Sequence, residues 1–100
     1  MPLIDLVVPH ALSPSEAAER LKSRMREAKR SYQGNYSDLR EQWSGNRLSY
    51  AFTVMSLQVH GTVAIEADAV RISADLPVAA MFFRGTIESQ LRDEMERLLA

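Results

Sequence analysis

Leu48-Ser49-Tyr50-Ala51-Phe52-Thr53-Val54 and, four residues later, Val59-His60-Gly61-Thr62-Val63-Ala64-Ile65 are the stretches whose reading decides the fold. In both, apolar side chains return at every second position, interrupted only by Gly61, which is the period of a strand with one buried and one open face. The same period recurs at Val70, Ile72, Ala74 and Leu76, after a turn expected at Ala67-Asp68. A shorter run, Leu39, Glu41 and Trp43, leads into the turn signal Ser44-Gly45-Asn46. Four strands so closely spaced predict an antiparallel meander, because short connections join only antiparallel neighbours. The alternate positions carry Arg47, Ser49, Thr53, Gln58, His60, Thr62, Glu66, Arg71, Ser73 and Asp75, with Ala51 and Ala64 among them. One face of the sheet is therefore apolar and the other polar.

Working outward from the meander, Leu3 to Val8 form a further β-rich run closed by Pro9, where the backbone donor is lost. Ser13-Pro14-Ser15-Glu16 places a hydroxyl at the N-cap, proline at the first helical position and a carboxylate three residues after the cap. This is a capping box, and it predicts a helix from Pro14. Ala17, Ala18, Leu21, Met25, Ala28 and Tyr32 keep one face of that helix apolar, and Gly34 predicts its end near Gln33. Beyond Pro77, which ends the last strand, Thr86 is expected to cap a second helix with Ile87, Leu91, Met95, Leu98 and Leu99 on one face. The expected fold is α+β: an antiparallel sheet of about five strands, two amphipathic helices on its apolar face, order β-α-β-β-β-β-α. Residues 1–100 are expected to form one domain.

The composition suits such a domain. Of 100 residues, 46% are hydrophobic and 25% charged, which excludes disorder and fibrous repeats. A formal charge of -1 provides no global field for nucleic acid or an anionic membrane, so either partner would need a local patch. With no cysteine, there is no disulfide, thiolate metal site or thiol nucleophile. Met1-Pro2-Leu3-Ile4-Asp5 lacks a basic leader, and no later stretch approaches the ~20 apolar residues of a membrane span. A cytoplasmic protein is expected.

No catalytic constellation emerges. Asp5, His10 and Ser13 are the residue types of a nucleophilic triad, but Ser13 is claimed by the capping box and no strained Gly-x-Ser-x-Gly elbow is present. His10 precedes a helix start, where it packs in the loop or meets an anion. His60 has no metal-ligand spacing around it, and glycines 34, 45, 61 and 85 are too scattered for a phosphate loop. No enzymatic activity, cofactor or metal is expected.

Two surface features stand out instead. Lys22, Arg26, Lys29 and Arg30 fall on one outward side of the first helix, where they suit an anionic partner. They equally suit dipole complementarity, with Glu16 and Glu19 in the first turns and bases toward the end. The second feature is apolar. Met55 and Leu57 sit at a hairpin tip where Gly, Asn or Asp is usual, and Val78-Ala79-Ala80-Met81-Phe82-Phe83 is long and apolar for a connector. These residues either complete the core or form an exposed contact patch.

Pro9-His10-Ala11-Leu12-Ser13 followed by Glu16-Ala17, then Gly61-Thr62-Val63, and the closing Gly85-Thr86-Ile87-Glu88 with Leu98-Leu99 resemble the putative polyhydroxyalkanoic acid system protein family over nearly the whole chain. The resemblance implies a bacterial cytoplasmic protein encoded beside genes for polyhydroxyalkanoate synthesis and granule surface proteins, with no established catalytic residues. The expected function is a nonenzymatic accessory role, with Met55, Leu57, Met81, Phe82 and Phe83 touching a granule, a granule protein or a second copy in a homodimer. Two other readings stay open: a small hydrophobic-ligand binder with a cavity between sheet and helix, and an RNA-binding module using the basic face of the first helix. The polar sheet face lacks an aromatic stacking platform, which disfavours RNA.

Overall fold

Alternation in the sequence becomes alternation in burial along β1 (Ile4–Pro9), where Ile4, Leu6 and Val8 are buried and Asp5, Val7 and Pro9 exposed. The computed structural model describes residues 4–100, so the expectation that a strand begins at Leu3 falls outside the described residues. After β1 come α1 (Pro14–Ser31), β2 (Ser37–Ser44), β3 (Arg47–Val54), β4 (Leu57–Ile65) and β5 (Ala69–Asp75). A 3₁₀ helix, Val78–Phe83, leads directly into α2 (Arg84–Leu99). The strands form one five-stranded sheet in the order β1-β5-β4-β3-β2, antiparallel throughout. The expected α+β order is the observed one.

Ala17, Ala18 and Leu21 of α1 and Met95 and Leu99 of α2 share one buried cluster with Ile4, Leu6, Val8, Leu48, Val63, Ile65, Val70, Ile72 and Ala74. Both helices therefore cover the same face. Each large aliphatic side chain withdrawn from water there contributes about 1.5–3 kcal/mol. Polar contacts hold the helices to each other: Arg24 Nε donates to Glu94 Oε1 at 2.5 Å, and Arg20 Nη1 donates to the carbonyls of Leu98 and Ala100 at 3.1 and 2.8 Å. The guanidinium of Arg24 holds the Glu94 carboxyl below its ordinary range, through the hydrogen bond first and the charge second.

Ser13 caps α1 as the sequence predicts, its Oγ accepting from the Glu16 amide at 3.1 Å. Two boundaries differ from expectation. The first helix ends at Ser31, with Tyr32 as its C-cap, so Gly34 and its positive φ of 93° lie in the turn beyond. The second starts at Arg84 and not after a Thr86 cap; its N-cap is Phe83, with no side-chain hydrogen bond. The chain is already wound by the 3₁₀ segment, whose first turn closes where the Ala80 amide meets the Pro77 carbonyl at 2.9 Å. Thr86 then falls inside a helix that needs no new start.

Register sorts the connections between two ends of the sheet. Val54 pairs with Leu57 and Asp75 with His60, so the β3–β4 turn and the exit from β5 into the 3₁₀ helix leave by the same end. The start of β1 at Ile4, opposite Ala74, and the start of β2 at Ser37, opposite Thr53, lie there too. At the other end are the β2–β3 and β4–β5 turns and the link from β1 to α1, where the His10 amide donates to the Asp68 carbonyl at 2.9 Å. Since α1 begins at this second end and leads to β2 at the first, its last turns arrive at the first end. Among the described residues, no helix is long and apolar enough to cross a membrane.

Candidate functional site

Met55 and Ser56 form a two-residue hairpin loop in which both backbones are left-handed, at φ 51° and 66°. Such a loop matches the twist of its strands, but it favours Asn-Gly, because a side chain at positive φ crowds the following carbonyl at a cost of about 1–2 kcal/mol. The chain holds that conformation with a methionine at the tip, and Met55 is 88% exposed. Leu57, opening β4, is only half-buried.

The 3₁₀ segment resolves the question left open by its apolar run. Ala80 alone is buried, while Val78, Met81, Phe82 and Phe83 are exposed, Phe82 to 94%. Tyr32, at the arriving end of α1, is exposed as well. Among the described residues, seven large apolar side chains are exposed, and six of them, all but Val7, lie at the end of the sheet defined by the β3–β4 turn. The sequence shows each segment but not their shared end, which follows from strand register.

The basic stripe of α1 is divided. Lys22 Nζ sits 4.7 Å above the centre of the Trp43 ring, and Lys29 Nζ lies 2.7 Å from Glu41 Oε1. Trp43 and Glu41 are two residues apart on the inner face of β2, so these lysines fasten the helix to an edge strand. Arg26 and Arg30 stay exposed and form no ion pair among the described residues. Helical spacing places all four outward, because it ignores how far a lysine stem reaches across to a neighbouring strand.

The polar face is shallow. His60 and Asp75 oppose each other on β4 and β5 with Nδ1 and Oδ2 3.7 Å apart, beside a row formed by Ser49, Thr62 and Ser73. These line an open depression. The candidate triad residues are not assembled: Ser13 Oγ is held by the cap, His10 Nε2 meets the Glu66 carbonyl at 3.0 Å, and His10 Nδ1 accepts from the Leu12 amide at 3.1 Å. No group of three potential metal ligands occurs among the described residues.

These features define a class: a small open-faced α+β protein whose exposed apolar side chains gather at one end of the sheet. The chain belongs to the putative polyhydroxyalkanoic acid system protein family, whose model matches residues 4–99. That family is not a known enzyme family. No curated protein and no solved structure shows significant similarity to the chain.

Proposed function

We propose that this protein is a nonenzymatic accessory component of polyhydroxyalkanoate storage that docks through its apolar end, with Met55, Met81, Phe82 and Phe83 as principal contacts and Leu57 behind them. The observation that carries the reading is the gathering of six exposed large apolar side chains at one end of a fold whose core is built from other residues. Apolar side chains left in water together at one end mark a contact surface, since burying them is favourable wherever a partner exists. Family membership supports a partner within the polyhydroxyalkanoate system, whose product is a hydrophobic polymer.

The other readings gain less support. Two concavities, one lined by Ser49, His60, Thr62, Ser73 and Asp75 among others and one beside Glu19, Ser23 and Glu27, are open depressions, which gives little support to a buried apolar ligand. Tyr50 and Phe52 stack on the inner face, away from the polar side where RNA bases would need them.

Cosedimentation with isolated polyhydroxyalkanoate granules tests the proposal. The native chain is expected in the granule fraction, and a Met55→Ser, Phe82→Ser, Phe83→Ser variant in the supernatant. A native chain that stays soluble, or a variant that sediments equally well, overturns it.

A further inference from the structure

We infer that the surface met by the apolar end is a film of anionic amphiphiles, apolar within and negatively charged at its boundary, with Phe82 and Met55 entering the film and Arg84 and Arg30 held at its charged layer. This rests on the docking reading above and narrows it.

Shape is the first reason. Met55 projects from a two-residue turn and Phe82 from a 3₁₀ turn, each almost wholly exposed, so the end presents separate knobs and not a groove or plane. A folded partner would need a matching socket for each knob, whereas a fluid apolar phase closes around any of them. A second copy offers poor sockets. The open depression between β3, β4 and β5 has Ser49, His60, Thr62, Ser73 and Asp75 in its lining beside Tyr50, Gly61 and Ala74, and an entering Phe82 would strip water from those polar groups without replacing its hydrogen bonds.

Charge is the second reason. Arg20, Arg24, Arg71, Arg92 and Arg97 all lie in ion pairs, and none of them is at the apolar end. At that end Arg84 follows Phe83 directly, Arg26 and Arg30 close α1, and Arg40 stands in the nearer half of β2; these four form no ion pair among the described residues. Asp5, Glu27 and Asp38 are the local acids likewise outside ion pairs, so four arginines stand against three acids there. An uncharged apolar surface gives these guanidinium groups no counterpart. A film with anionic head groups does, because an arginine stem can lie along the apolar layer while its head stays at the boundary.

Flotation with phosphatidylcholine vesicles, with and without phosphatidylglycerol, and with bare polyester particles at low and high salt tests the assignment on the whole chain. Binding should favour the anionic vesicles, weaken steeply with salt, and fall about fivefold for each of Arg84→Gln and Arg30→Gln. Phe82→Ser should abolish it. Equal binding to both vesicle types and to bare particles, insensitive to salt, overturns the anionic film and leaves the docking reading standing. Binding to none of them overturns both. A concentration-dependent dimer that Phe82→Ser dissolves, seen by sedimentation velocity, overturns the film in favour of a second copy. Should an arginine variant misfold, the vesicle-composition and salt arms on the native chain decide alone.

Discussion

The Tyr50 hydroxyl donates to the Ser73 carbonyl oxygen at 3.0 Å, reaching from β3 to β5 by lying across Gly61 of the intervening strand. Tyr50, Gly61 and Ala74 stand in one row, and the missing Cβ at the centre leaves the path for the ring. A Cβ on Gly61 would meet Tyr50 Oη at 2.7 Å and collide with the Ser73 carbonyl. The aromatic side chain thus occupies the gap that glycine opens and ties three strands together.

Removing the hydroxyl in Tyr50→Phe should cost about 1 kcal/mol, the usual net value of one hydrogen bond. Gly61→Ala should cost more, about 2–3 kcal/mol, because the obstruction includes backbone that cannot rotate away. Urea denaturation of both variants against the native chain measures the two costs. Equal stability of all three would show that the Tyr50 crossing contributes nothing.

Alkaline stability should report the same residue. Burial first, and Asp75 second, push the Tyr50 phenol up to about 12. The unfolded phenol ionises near ~10, so the folded state holds its proton longer. Stability from this group is therefore complete below about 10 and is lost as pH rises from there toward about 12. Melting temperatures across that window should fall more steeply for the native chain than for Tyr50→Phe.

At the hairpin tip, Met55→Asn with Ser56→Gly should raise stability by about 1–2 kcal/mol, since both residues accept positive φ more readily. The same change removes the exposed methionine. Thermal denaturation should show the gain while granule cosedimentation shows a loss. A variant that is more stable and binds as before would remove Met55 from the docking surface.

Ser13→Ala should destabilise the chain by about 1 kcal/mol, because the Glu16 amide at the start of α1 loses its acceptor. Circular dichroism during urea unfolding checks this. The variant should keep its granule binding, since Ser13 lies at the end of the sheet away from the apolar contacts.

The exposed patch shows the limit of periodicity as a guide. Val78 to Phe83 has the composition of core, and nothing in its own order says that Ala80 turns in while Phe82 turns out. That depends on how the 3₁₀ turn leaves β5 and enters α2. Lys22 and Lys29 show the same limit from the polar side: as helix-surface bases they look solvated, yet Trp43 and Glu41 draw both toward β2.

The sequence by itself determined the strands, the two long helices and their order, because a two-residue period, a capping box and turn signals such as Ser44-Gly45-Asn46 act between residues close along the chain. Ser13 caps α1, and the inner faces of β3, β4 and β5 carry the apolar sets that their alternation announces. Only the tertiary structure decided that Met55, Phe82 and Tyr32 share one end, that Tyr50 passes over Gly61, and that two lysines of α1 face inward. Each of these depends on strand register and on the path of the helices over the sheet, and both are set by packing the whole core at once rather than by any local run of residues.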